Sequence, residues 1–163
     1  VDCGARLVLG IDPGKTGSAA LVRCRPGVER PKVEHVWEVK ALLAIGDAAA
    51  RADLVVIEQQ QASPQMGRTS AFELGMITGC IEGLVLARTS ADIVRPMPAA
   101  WRGSFGLGGG KAGKARGVEM ARVLAGTGIE RHDQADAILL AWWGWKRILE
   151  PALVSAHETH TDW

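Results

Sequence analysis

Hydrophobic positions along this chain fall into short runs, each closed by an acid or a turn. Leu7 to Ile11 is apolar and ends on Asp12; a Pro13-Gly14-Lys15-Thr16-Gly17 turn follows, then a second run from Ser18 to Val22. That pattern predicts a strand, a tight loop and a returning strand. Val33 to Val39 alternates and predicts a third strand, with His35 on its face, and the Ala- and Leu-rich stretch Lys40 to Arg51 predicts a helix. Asp53 to Glu58 repeats the opening pattern, a buried strand ending in an acid.

A polar loop broken by Pro64 leads into a long predicted helix, Thr69 to about Arg88, carrying Gly75, Gly79 and Gly83 at a spacing of four. Each glycine costs a helix roughly 1 kcal/mol against alanine. A stripe of them predicts close backbone packing, against the sheet or against a second subunit. Glu73 and Glu82 lie inside the stretch and argue against a membrane-spanning glycine motif. Asp92 to Arg95 predicts a fifth strand, stopped by Pro96 and Pro98. Trp101 to Lys111 reads as a glycine-rich loop before a helix ending near Ala125. The last helix begins near Arg131 and runs to about Leu149; Ala137 to Trp145 is apolar all round, so it is predicted to be buried, Trp142, Trp143 and Trp145 included. Residues 1–150 are then one domain, and 151–163, with His157 and His160, a loosely held tail.

Composition changes this picture little. The chain has 163 residues, 47% hydrophobic and 23% charged, which suits one folded domain and not a disordered one. Cys3, Cys24 and Cys80 share no metal-like spacing with each other or with the four histidines. They point to reduced thiols in a cytosol-like, cytoplasmic compartment. The sequence starts at Val1, which leaves room for a removed N-terminal segment.

Charge changes it more. The net charge of +1 conceals a local patch: from Arg95 to Arg122 the basic residues Arg95, Arg102, Lys111, Lys114, Arg116 and Arg122 face the single acid Glu119. Glycines beside them would let backbone approach phosphates closely; a solvated helix face is the plainer alternative.

The candidate chemistry lies in the acids. Asp12 falls at the C-terminal lip of a buried strand, where open α/β sheets place ligands, and a carboxylate there is costly to desolvate unless positive charge meets it. Gly14-Lys15-Thr16 is not the end of a phosphate-binding P-loop, because Leu9 stands where that motif needs glycine. Asp133 and Asp136 are three residues apart, on one face within a single helical turn. An N-cap role explains Asp133 alone, not a second acid at the mouth of an apolar helix. Asp12, Glu58, Asp133 and Asp136 thus each stand at the end of a buried element. Converging, they would repel one another unless divalent cations neutralised them. Oxygen-only ligands favour Mg²⁺ or Mn²⁺, and two such ions roughly 4 Å apart would clamp a phosphodiester.

Four places carry a family resemblance: Gly10-Ile11-Asp12-Pro13-Gly14 with Gly17, Val56-Ile57-Glu58-Gln59, Ala71-Phe72-Glu73-Leu74-Gly75 with Gly79, and His132-Asp133-Gln134-Ala135-Asp136-Ala137. Arg95-Pro96 through Trp101-Arg102 to Gly110-Lys111 adds a fifth. Together they resemble the RuvC-type Holliday-junction resolvases of the RNase H-like superfamily, particularly phage-like members. The resemblance implies an α/β, RNase H-like fold: a five-stranded mixed sheet of three antiparallel and two parallel strands, with helices on both faces. It implies a homodimer that nicks a four-way DNA junction symmetrically in recombination and repair, leaving 5′-phosphate and 3′-hydroxyl ends. Asp12, Glu58, Asp133 and Asp136 match the family's metal-binding carboxylates, with two Mg²⁺ per site and Mn²⁺ as substitute.

Lys111 or Lys114 matches a lysine near the scissile phosphate, and Arg102, Lys111, Lys114, Arg116 and Gln61 are expected to touch DNA. Gln61 stands where bacterial members carry an aromatic that contacts junction bases. His132 has two readings, a helix cap, which we favour, and a proton-transfer group. The glycine-bearing helix corresponds to the family's dimer-forming region, and a recombination helicase or branch-migration protein is a conceivable partner; no membrane is expected. Two other classes stay open: an actin-like nucleotide phosphotransferase or ATPase fragment, from the Asp12-Pro13-Gly14-Lys15-Thr16-Gly17 turn, and a non-catalytic branched-DNA-binding module.

Overall fold

Alternation along the strands decides the architecture. In β1 (Arg6–Ile11), Val8 faces one layer while Leu9 and Ile11 face the other. β2 (Ser18–Cys24) repeats this, with Ala20 and Val22 on the first side and Ala19 and Leu21 on the second. β4 (Leu54–Ile57) does the same, Leu54 and Val56 against Val55 and Ile57. Strands apolar on both faces must be covered on both. With β3 (Lys32–Glu38) and β5 (Asp92–Val94) they form one sheet in the order β3-β2-β1-β4-β5. β1 runs antiparallel to β2 and β2 to β3, whereas β1–β4 and β4–β5 are parallel. This is the expected mixed sheet. The computed structural model describes residues 4–126 and 128–153; Cys3, His157 and His160 lie outside the described residues.

On the first face lies α5 (His132–Gly144), backed by α4 (Gly110–Ala125). Two glycines permit this docking. A Cβ on Gly10 of β1 would overlap the Ala137 carbonyl, and one on Gly144 would overlap Val56. Ala137 to Trp142 is buried on every side, as expected. Trp143 is only half-buried, which corrects the sequence reading, and the regular helix stops at Gly144, giving way to a π-helical turn, Trp145–Leu149. Trp145 is fully buried in that turn. Of the predicted tail, Leu153 still packs against this core, and residues 154–163 lie outside those described.

The second face is covered by α1 (Leu42–Ala49) and α2 (Arg68–Arg88). α2 reaches this core chiefly through Ile81 and Val85. Its glycines do not touch the sheet: a Cβ at Gly75, Gly79 or Gly83 would meet none of the described residues within 4 Å. That overturns close packing against the sheet as the reason for the stripe. By length and composition alone α2 could cross a bilayer; its acids, however, are tied to the domain, Glu73 to Lys15 and Glu82 to Arg95, each at 2.9 Å.

One element was not foreseen. The stretch from Trp101 to Lys111 is not all loop, because Pro98–Ser104 forms a short helix, α3, with proline in its first turn. Only the glycine run after it is irregular, with Gly106 and Gly110 at φ 64° and 69°.

Candidate active site

Asp12 and Glu58 follow neighbouring parallel strands, β1 and β4, at the same end of the sheet. Glu58 is fixed there by its backbone, which donates to the Ile11 carbonyl at 2.9 Å. Asp12 donates to the Ser18 carbonyl across the hairpin at 2.9 Å, and its own Oδ1 accepts the Gly14 N–H at 3.0 Å. The turn is too tight for any side chain at Gly17, where a Cβ would overlap the Asp12 carbonyl. α5 brings its first turn to the same edge, with Asp133 and Asp136 buried at 3% and 7% exposure. Three separate elements therefore deliver the four acids to one edge of the sheet. They sense one another: Asp133 raises the pKa of Asp12, Asp12 that of Glu58, and both Asp12 and Glu58 that of Asp136.

Each acid has a different neutralising partner. Asp133 is held by Arg131, whose Nη2 lies 2.6 Å from Oδ2 and Nε 3.1 Å from Oδ1, and by the Ser18 hydroxyl at 2.6 Å. Burial alone would raise this carboxyl, but the Arg131 and Ser18 hydrogen bonds overcome it and hold it below the ordinary range. Asp136 meets Arg102, whose two terminal nitrogens reach its oxygens at 3.2–3.3 Å. Here burial wins: despite Arg102, the Asp136 carboxyl is pushed up to about 7. Glu58 accepts the Trp101 indole N–H at 2.9 Å and the Gln60 amide at 3.0 Å. Burial raises both Glu58 and Asp12.

Two cap assignments from the sequence are corrected. The residue before α5 is Arg131, so neither Asp133 nor His132 caps it; the Gln134 side chain instead accepts the Arg131 backbone N–H at 3.3 Å. His132 opens the helix and points its Nε2 toward Lys114 Nζ, 3.3 Å away. Lys114 also lowers the pKa of Asp136, and His132 that of Asp12, so both border the acids.

Lys111, one turn earlier on α4, is exposed. Arg116 does not stand free: its Nη2 donates to the Gly106 carbonyl at 2.8 Å and ties down the glycine run. Gln61 is exposed and turns to Met97 Sδ at 3.5 Å. The site thus gathers Asp12, Glu58, Asp133, Asp136, Arg102, Lys114 and His132, whereas Arg116 and Gln61 bond elsewhere and Lys111 is exposed.

Sequence reasoning missed Arg131, Trp101 and Ser18 as partners of the acids. Ser18, 1% exposed, had a signal: it is the one polar residue in the run Ser18 to Val22, which is otherwise apolar. Trp101 reaches Glu58 across 43 residues and left none. Arg131 stands only two residues before Asp133, but nothing local distinguishes a paired arginine there from a solvated one.

An all-oxygen donor set of mutually repelling carboxylates fits a hard divalent cation such as Mg²⁺ or Mn²⁺. Among the described residues no three His, Cys, Asp or Glu side chains stand together as a ready-made cation site. Two of the four acids are instead bonded to arginines.

No family model and no curated protein matches the sequence. Solved structures do match. The chain is similar to T. thermophilus RuvC in complex with a Holliday junction substrate, with TM-score 0.65 and 20% identity over 89% of this chain and 97% of that one. A second Thermus thermophilus RuvC structure gives TM-score 0.61 and 19% identity over 88% and 97%. The fold is therefore the RNase H-like fold. Its RuvC form, with sheet order β3-β2-β1-β4-β5, is the one this chain adopts.

Proposed function

We propose that this chain is a structure-selective endodeoxyribonuclease that resolves four-way DNA junctions by paired, metal-dependent nicks during recombination and repair. The observation that carries the reading is the convergence of Asp12, Glu58, Asp133 and Asp136 from three elements onto one edge of a RuvC-like sheet. Independent turns and caps would not bring them together. Asp12, Glu58, Asp133 and Asp136 would hold two Mg²⁺ ions. When bound, such ions activate water and stabilise the leaving oxygen of an in-line displacement.

The chain's own residues supply the rest. Lys114 and His132 form a polar pair beside the acids, where an ammonium suits a phosphate oxygen. Lys111, exposed one turn away, suits a flanking phosphate. Trp101 orients Glu58 by its N–H and is itself fixed by complete burial. Cleavage of the phosphorus–O3′ bond leaves 5′-phosphate and 3′-hydroxyl ends, which a ligase can seal. A four-way junction presents two equivalent strands, and a homodimer with one site per subunit matches that symmetry. The open glycine stripe of α2, with Phe72 and Met76 exposed beside it, suits the second copy.

The test is cleavage of an immobile, strand-labelled four-way junction against linear duplex, with Mg²⁺, Mn²⁺ or chelator. Symmetric nicks in the junction alone, lost with chelator and lost in Asp12→Asn while junction binding persists, are expected. Neither binding nor cleavage of any junction in a sequence library would remove the reading.

A further inference from the structure

The two arginines at the acids are built differently. Arg131 is anchored three ways besides its charge: to Asp133, to Glu38 at 3.1 Å and to the Thr16 carbonyl at 3.0 Å. It ties α5 to the β1–β2 turn and to β3, and its side chain is 43% exposed. Arg102 has no such frame. Its side chain is 18% exposed, and among the described residues every side-chain hydrogen bond it makes goes to Asp136. Its remaining contact is a stack on the adjacent Trp101 ring, 4.9 Å from the centroid. Yet its charge also lowers the pKa of Asp12 and of Glu58, so one guanidinium serves three of the four acids.

Trp101 is anchored independently, fully buried and donating to Glu58. The backbone of α3 is thus held in place while the Arg102 side chain, with its long flexible stem, is held only at its tip. A guanidinium on both oxygens of Asp136 and a divalent cation on the same oxygens exclude each other, by occupancy and by like charge. A guanidinium set free beside the site is, in turn, a bidentate phosphate ligand.

We propose that Arg102 is a resident counter-cation that holds Asp136 until a divalent ion enters, and then transfers to a DNA phosphate. Metal loading and phosphate binding are thereby coupled: each favours the state in which Arg102 has left Asp136. This rests on the nuclease reading of the site, and it adds an order of events. Without DNA, Arg102 competes with the metal; with DNA, the phosphate draws it away. Coupling of this kind is reciprocal, so metal must tighten junction binding by the factor that junction tightens metal binding.

The experiment measures Mn²⁺ binding to the full chain without DNA, from the loss of the free-ion electron paramagnetic resonance signal. Arg102→Met is expected to bind Mn²⁺ about 10-fold more tightly than the unaltered protein, within the usual range of coupling factors. Asp12→Asn serves as the control that the ion sits among the acids, and is expected to bind weakly. Equal or weaker binding by Arg102→Met overturns the inference and leaves the nuclease reading standing. Absence of saturable binding in both proteins overturns the metal site itself, and both readings with it. Because Arg102→Met leaves Asp136 without its partner, a measurement on the unaltered protein accompanies it. The Nε–Hε resonance of Arg102 must shift on titration with Mg²⁺; a resonance that stays fixed while Mg²⁺ binds overturns the proposal whatever the variant does. Finally, Ca²⁺ is expected to tighten junction binding by the unaltered protein, and this gain is expected to shrink in Arg102→Met.

Discussion

The two faces of the sheet are finished to different degrees. On one, α5 lies so close that Gly10 and Gly144 admit no Cβ, and the α5 stretch from Ala135 to Trp142 is buried throughout. On the other, α2 contributes two buried residues and leaves Phe72, Met76 and Leu86 more than half exposed. The same sheet and similar composition thus support one closed layer and one open one. The proposed function gives the difference a reason. The α5 face carries the four acids, and a site built from such residues needs a rigid support. The α2 face keeps an apolar surface of the kind that marks an interaction site.

Gly10→Val tests the closed layer most severely. The added side chain meets the backbone of α5, which has no rotamer by which to yield. Destabilisation at or beyond about 5 kcal/mol, the upper end for single substitutions, is expected in urea unfolding. A loss below about 1 kcal/mol would mean that α5 shifts easily and that the layer is not rigid. Trp145→Ala probes the same layer through a cavity. Its ring is fully buried where the helix loosens into its π-helical turn, so a loss of about 3–5 kcal/mol is expected.

The closed face was also the more legible in sequence. Runs such as Leu7–Asp12 and Leu54–Glu58 announce both the strand and the acid at its end, because burial and polarity change at one residue. The all-round apolar stretch after Asp136 announces a buried helix for the same reason. What the sequence hid was pairing at a distance. Arg102 reads as part of a basic patch by charge alone, yet its partner Asp136 lies 34 residues on. α3 was hidden for another reason: seven residues containing Pro98 and Gly103 carry too little periodicity to separate a helix from a loop. Trp143 misled because an unbroken apolar run does not mark which position turns outward: Trp142 and Trp145, on either side of it, are both buried.

A smaller effect separates the two acids of α5 by pH. Asp136 is raised to about 7 in the fold from an ordinary 3.8, so folding favours its protonated form. That contribution to stability is full below the unfolded value near 3.8 and is lost as pH rises toward 7. Asp133 is lowered, so its contribution is present above the ordinary value and lost only as pH falls through the depressed one. Between pH 5 and 7, then, Asp133 is silent and Asp136 is not. Metal-free protein is expected to lose stability across that interval in urea unfolding, and Asp136→Asn to lose less. Equal slopes in the two proteins would place the burial cost elsewhere among the acids.

The open face gives the smallest change in stability and the clearest contrast. Gly79 lies in the middle of α2, and a Cβ there would meet none of the described residues within 4 Å. Alanine in a helix interior is better than glycine by roughly 1 kcal/mol, so Gly79→Ala is expected to raise the stability of an isolated chain by up to that amount. Gly10 and Gly79 are thus expected to respond with opposite sign to the addition of a side chain, one because backbone is already there and the other because none of the described residues is. If a second copy seats on the stripe, however, the added methyl intrudes on that contact. Sedimentation at falling protein concentration separates the two effects. A variant that is more stable to urea when dilute, yet dissociates at a higher concentration, has gained as a helix and lost as an interface. A variant that gains stability with its association unchanged places the second copy elsewhere. The glycines of α2 would then be a cost to the helix for which the chain's own packing offers no return.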